Sequence, residues 1–268
     1  MASHIQTYNP LMRIEELERW TGLWKSLPWR IVPETPLAPA VNVALDDVLH
    51  SPTLRFWSWT HSAVILGRSQ SVSNELDLEQ SNSLNLQIVR RATGGGTMFI
   101  EPEGAITYSL LLPEAAVQGL SIRESYEVCD AWVVRALVEL GIECHYAPIN
   151  DIACAAGKIG GAAQARRRGT ILHHATLAYS MDTYAMMRVL RLGKPSLQTR
   201  GVRSAEKIVA PLRLQTELSR GAIVEHLLGC FHKEFGGSIL PLRTDELKEA
   251  SALADSKYAT EAWAFDVP

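Results

Sequence analysis

No CxxC pair occurs in this chain, and its four cysteines, Cys129, Cys144, Cys154 and Cys230, are scattered. Zinc-ribbon and thioredoxin-type motifs are therefore excluded, and reduced thiols in a cytoplasmic protein explain the pattern best. Long apolar runs are also lacking. The longest are strand-sized, such as 63–66 and 110–112, so no bilayer span and no membrane partner are expected. The N-terminus has no basic stretch leading into an apolar one, so no secretory signal is expected. Repeats and low-complexity tracts are missing, as are Walker A and GxGxxG spacings. Without a recognition-helix, zinc or RNP signature, nucleic acid is not expected as a partner.

What is present is an ordinary globular composition, 47% hydrophobic and 21% charged over 268 residues, with an uneven charge distribution. Between Lys158 and Arg213, eleven basic residues face two acids, Asp182 and Glu206. That segment carries +9, which leaves −12 for the rest of a chain whose net charge is −3. An acidic protein that gathers cations in one segment is built to meet an anion there.

Arg90, Arg91, Gly94, Gly95, Gly96 and Thr97 form the most informative stretch. Three glycines let backbone N–H groups converge, and two arginines offer fork-shaped donors to phosphate or carboxylate oxygens. A glycine-rich turn with two solvated arginines is the bland alternative. Further on, Asn150, Asp151 and Ile152 precede Lys158, Gly160 and Gly161. If 151–155 and 158–164 pair as a hairpin, Asp151 and Lys158 reach one site, where a lysine point charge suits growing negative charge and Asp151 suits Mg²⁺. A surface hairpin with a solvated pair is the alternative.

Periodicity predicts an amphipathic helix over 13–26 in an appended segment, a helix over 40–50, and paired strands at 54–59 and 63–67. Ser73 is expected to start a short helix. Strands are expected on either side of the glycine loop. Ser121 and Glu124 form a capping box for a helix reaching Leu140, and Gly141 stops it. Strands follow at 142–147, 151–155, 158–164 and 170–180, then helices at 182–191, 219–235 and 244–258, with Ser219 and Thr244 as N-caps. Short strands with helices between them predict an α+β fold, mixed and largely antiparallel sheets covered by helices.

Five ordered blocks resemble the lipoate–protein ligase family: Asn42 to Asp46; Gly67 to Gln70; Arg90, Arg91 and Gly94 to Gly96; Asn150 to Ile152 with Lys158 to Gly161; and His173 to Leu177. A tail block from Lys194 through Arg200, Gly201 and Ser204 to Leu212 resembles that family's closing loop. The resemblance implies the biotin/lipoate protein ligase catalytic-domain fold over residues 29–268, with 1–28 as an N-terminal extension. It implies an enzyme that adenylates lipoate or octanoate with ATP and Mg²⁺, then passes the acyl group to a lysine of a lipoyl-carrier domain (E2 subunit, H-protein or similar). By the same resemblance Arg91, Gly94, Gly95, Gly96, Thr97, Met98, Phe99, Asn150 and Lys158 would contact ATP or the adenylate. Lys158, Gly160, Gly161, His174 and Arg91 would line the lipoate site, Lys158 and Asp151 would be catalytic, and Asp151 would hold the metal. Arg166, Arg167 and Arg168 are expected to meet an acidic lipoyl domain.

Three departures stand out. Ile100 and Glu101 replace the family's frequent His-Asp. Gly160 replaces Ser or Ala, at small expected cost. Many members continue into an accessory domain where this chain stops, so either a separate accessory polypeptide completes the enzyme or it works alone. The rival within the superfamily is an octanoyltransferase that takes its acyl group through a cysteine thioester. Cys144 with Pro148 looks like that enzyme's nucleophile site, although a cysteine inside a strand is more often a small buried hydrophobe. A non-catalytic carrier-binding protein is the remaining alternative.

Overall fold

A computed structural model describes residues 12–268; residues 1–11 of the expected N-terminal extension lie outside the described residues. The strands are β1 (Arg30–Val32), β2 (Pro36–Leu37), β3 (Thr53–Trp59), β4 (Ala63–Leu66), β5 (Gln87–Arg90), β6 (Met98–Ile100), β7 (Ala105–Pro113), β8 (His145–Ala147), β9 (Asp151–Cys154), β10 (Gly157–Arg167), β11 (Thr170–Ala178) and β12 (Ser238–Ile239). The helices are α1 (Ile14–Trp24), α2 (Pro39–Val48), α3 (Val72–Glu75), α4 (Leu78–Ser83), α5 (Ile122–Glu139), α6 (Thr183–Val189), α7 (Arg220–Phe235), α8 (Thr244–Leu253) and α9 (Glu261–Ala264). Nine strands form one sheet in the order β12-β1-β3-β7-β11-β10-β9-β8, with β2 beside β3, and β5-β4-β6 form a second. The class is the expected α+β.

Period-two alternation sorts the large sheet's side chains into two layers. Ile106, Tyr108, Leu110 and Leu112 of β7 point into a core closed by α1, α5 and α7. Leu111 and Leu172 point the other way, into a core shared with α2, α8 and the small sheet. The capping box forms as read: Ser121 Oγ accepts from the Glu124 amide at 3.2 Å while Glu124 accepts from the Ser121 amide at 2.7 Å. Such a cap stabilises a helix by about 1 kcal/mol. Trp24 on α1 is fully buried, with its indole 5.5 Å from the Phe235 ring on α7. Among the described residues no helix is long and apolar enough to cross a membrane.

Three local readings change. β3 and β4 do not pair: β3 lies between β1 and β7, while β4 joins β5 and β6 in the small sheet. Each buries both faces, and the sequence between them gave no way to tell a hairpin from a sheet change. Ser71, not Ser73, caps α3, and Arg243 rather than Thr244 precedes α8. Short β1, β2, β6 and β12 carried too few residues to show a period.

Candidate active site

Between the two sheets lies a cavity of about 210 Å³, lined by Arg91, Gly96, Thr97, Met98, Phe99, Asn150, Asp151, Lys158, Gly160, Gly161 and His174 together with residues from α6 and the 204–209 segment. The glycine loop and the lysine hairpin, more than fifty residues apart in sequence, thus share one chamber. Gly94 and Gly95 do not line it.

The hairpin forms because β9 and β10 pair antiparallel, with Lys158 opposite Ala153 and Gly161 opposite Asp151. A register shift between Lys158 and Gly160 turns the lysine along the same face as Asp151. Lys158 Nζ stands 2.9 Å from Asp151 Oδ1. Lys207 Nζ, from the tail block, binds the other oxygen, Oδ2. One buried carboxylate therefore bridges two ammonium groups. The expected Mg²⁺ site does not fit this arrangement: both oxygens are held by cations, and two neighbouring ammonium groups repel a dication. Lys207 was missed at the sequence level because its position depends on the tail segment, which pairs directly with β10: the Lys158 amide donates to Ile208 O at 2.8 Å and the Ala210 amide to Lys158 O at 2.8 Å. Asn150 pins the hairpin, donating from Nδ2 to Ala162 O at 2.6 Å.

The arginines behave differently from the expectation. Arg91 is 2% exposed. Its Nε donates to Thr93 Oγ1 at 2.9 Å, one terminal nitrogen to Ile65 O at 3.0 Å, and the other to Gly94 O at 2.6 Å and Gly96 O at 2.8 Å. Burial lowers its pKa to about 10. Arg90 likewise donates to the carbonyls of Gly67, Gln70 and Ala264. Both guanidinium groups are engaged by backbone oxygens and hold the loop in shape, so neither presents a free fork to an anion. The loop is tight enough that a Cβ on Gly67 would lie 2.2 Å from Gly95 O.

His173 and His174, adjacent on β11, face opposite sides of the sheet. His173 Nε2 meets Asp130 at 2.7 Å beneath α5. His174 Nδ1 meets Asp46 Oδ2 of α2 at 2.8 Å, and its Nε2 meets Thr93 Oγ1 at 2.8 Å. The Asp46 carboxylate only accepts, so Nδ1 donates to it and Nε2 accepts from the Thr93 hydroxyl, which itself accepts from Arg91. That order puts the imidazole proton on Nδ1, a tautomer assigned from the network. Burial lowers the pKa of His174 despite the opposing pull of Asp46, and the ring is neutral. Asp46, His174, Thr93 and Arg91 thus form one buried chain linking α2 to the loop. Thr97 is held by the tail and by α3: its amide donates to Ser204 Oγ at 2.8 Å, and Glu75 of α3 accepts from the Thr97 hydroxyl at 3.1 Å.

The apolar wall of the cavity comes from Met98, Met181, Met186, Leu190, Leu192 and Val209. None of the cysteines of the described residues lines it. Cys144 precedes β8 and packs on the helix-covered face, with Sγ 3.7 Å from Val134 O, and burial pushes its pKa up to about 12. Gly160 proves more constrained than expected: a Cβ there would lie 2.8 Å from Thr176 O and 2.5 Å from Leu177 Cδ2. Arg166 to Arg168 close the far end of the β10–β11 hairpin, about 20 Å up the strand from Gly161 at roughly 3.3 Å per residue, and Arg167 pairs there with Asp47.

The sequence model of the lipoyl protein ligase A/B catalytic domain matches residues 39–232, a stretch that contains the loop, the hairpin and the buried histidine chain. The chain belongs to this family. Solved structures share its fold: a lipoate–protein ligase A bound with ATP superposes with a TM-score of 0.75 at 24% identity, over 90% of this chain and 100% of that one. The bipartite lipoate protein ligase of Thermoplasma acidophilum gives a TM-score of 0.74 at 23% identity, over 90% and 97%. At such identities the likeness speaks for the fold alone. Sequence relatives are of a different kind. An octanoyltransferase LipM of Exiguobacterium sp. is 27% identical over 88% of this chain and 97% of its own length. The LipM of Oceanobacillus iheyensis is 27% identical over 86% and 94%. These relatives overturn the adenylating ligase as the main expectation and favour its rival, acyl transfer.

Proposed function

We propose that this protein is an octanoyltransferase, moving an octanoyl group from a carrier-protein thioester to a lysine of a lipoyl domain. The observation that carries the reading is the cavity itself, with a methionine- and leucine-lined wall for an acyl chain beside the Lys158 ammonium. The thioester carbonyl oxygen meets Lys158, whose charge stabilises the oxyanion formed when the carbonyl is attacked. Asp151 holds Lys158 in place. The Asp46–His174–Thr93–Arg91 chain holds the loop wall, so that orientation rather than a metal lowers the barrier. No nucleotide is consumed in this reaction, because the thioester already carries the activation energy.

Cys144 is the nucleophile in this proposal. Its thiol loses its proton and attacks the carbonyl, the carrier's C–S bond breaks, and the carrier leaves as a thiol. The acceptor lysine amine then breaks the Cys144 thioester, forming the amide and restoring the cysteine proton. As folded here the thiol is protonated, turned toward Val134 and off the cavity lining, so the covalent route requires a roll of β8 and the residue before it. β8 is an edge strand paired with β9 alone, so the roll breaks one ladder and displaces the buried Tyr146 side chain beneath α5. A second reading follows from the cavity lining: with no thiol among its described residues, the acceptor amine attacks the bound thioester directly.

Mixing the protein with octanoyl-carrier and lipoyl domain, without ATP, tests both. Octanoylation of the domain supports transferase activity, and a hydroxylamine-sensitive octanoyl adduct on Cys144 supports the covalent route. Turnover in Cys144→Ser without an adduct favours direct attack. No octanoylation without ATP refutes the proposal.

A further inference from the structure

On the helix-covered side, away from the cavity, Glu139 at the end of α5 meets His226 and Cys230 of α7. The α7 pair is spaced i and i+4, which places both side chains on one helix face. Cys230 Sγ lies 3.3 Å from His226 Nε2 and 3.4 Å from Glu139 Oε2, and His226 Nε2 lies 3.6 Å from the same carboxylate oxygen. A tetrahedral Zn²⁺ with bonds of about 2.0 Å to nitrogen and oxygen and 2.3 Å to sulfur sets its ligand atoms about 3.3–3.6 Å apart. Each of the three observed separations falls within about 0.3 Å of the corresponding edge of that tetrahedron.

We propose that Glu139, His226 and Cys230 bind one Zn²⁺-class divalent ion that clips α5 to α7, with water completing the fourth position. The donor set is an imidazole nitrogen, a thiolate and a carboxylate, which suits a borderline-soft cation rather than Mg²⁺ or Ca²⁺. Thiolate and carboxylate together neutralise the charge of +2. Without metal, His226 Nε2 lies 3.1 Å from Ala136 O. Binding takes the Nε2 lone pair, leaves the ring proton on Nδ1 and releases the Cys230 proton to solvent. Glu139 is 62% and His226 28% exposed, so an ion can enter from solvent. Nearby Glu234 is paired with Arg135 and does not compete.

Co²⁺ titration of the chelator-treated full-length protein provides the test. The expected result is one equivalent bound, with a thiolate-to-cobalt charge-transfer band that Zn²⁺ displaces, and a Zn²⁺-dependent rise in Tm of several degrees. Cys230→Ser should abolish the band, and Glu139→Gln, a change at an exposed side chain, should weaken affinity at least tenfold. No band in the wild type overturns the proposal. So does a band that survives in Cys230→Ser, or an equal Tm response to Zn²⁺ in wild type and Cys230→Ser.

Discussion

Replacing Lys158 with methionine separates the chemistry of the site from the stability of the fold. Methionine keeps most of the apolar stem and removes the charge. Lys158 sits 2.9 Å from Asp151 and is 31% exposed, so the ion pair is partly screened by solvent. Lys207 still neutralises the carboxylate. The folding cost should therefore be below about 1 kcal/mol. On the proposed transfer chemistry the transition state loses its cation at the developing oxyanion, and the expected loss is roughly 10²–10³ in rate, or about 2.7–4 kcal/mol. Single-turnover octanoyl transfer to a lipoyl domain, measured beside the Tm, reads both numbers. Near-normal turnover in Lys158→Met, or a rate loss matched by collapse of the fold, refutes the assignment.

Other outcomes can be checked independently. With its pKa pushed up to about 12, Cys144 is thiolate to only about one part in ten thousand at pH 8, so iodoacetamide should label it slowly; rapid labelling would show that the thiol is turned out at rest. Burial lowers the His174 pKa, so the unfolded chain binds this proton first as pH falls. Stability from this group is complete above the unfolded value near 6.5 and declines as pH drops toward the folded value. His174→Gln should flatten that part of the urea-midpoint profile, and an unchanged slope would exclude the effect. Gly67→Ala forces a methyl against Gly95 O and should cost about 1–3 kcal/mol in urea unfolding, with transfer activity falling as the loop moves. Gly160→Ala meets the backbone at Thr176 O and should destabilise similarly; an unchanged midpoint would restore the view that this position tolerates a side chain.

Legibility in the sequence followed the range of the forces involved. The α5 cap, the α7 start at Ser219 and the β10–β11 strands were readable because they depend on neighbours within a few residues and on a period of 2 or 3.6. Lys158 and Asp151 were readable as a pair because a hairpin brings near neighbours together. The arginines' sequence context shows donors but not the carbonyls of Ile65, Gln70 and Ala264 that take them up. Cys144 could be placed in a strand-like stretch, but which face its thiol takes depends on the sheet's partners.

By itself the sequence determined the α+β class, the main local elements and part of the chamber lining, Arg91, Gly96 to Phe99, Asn150, Asp151, Lys158, Gly160, Gly161 and His174, because burial patterns, capping and glycine-rich turns are written in short stretches. Only the tertiary structure decided that β3 and β4 part into two sheets, that Lys207 shares Asp151 with Lys158, and that His173 and His174 serve opposite faces. Those outcomes rest on contacts between segments dozens of residues apart. Their energies come from buried charge pairing and backbone carbonyls meeting side-chain donors, and no local pattern encodes which distant partner arrives.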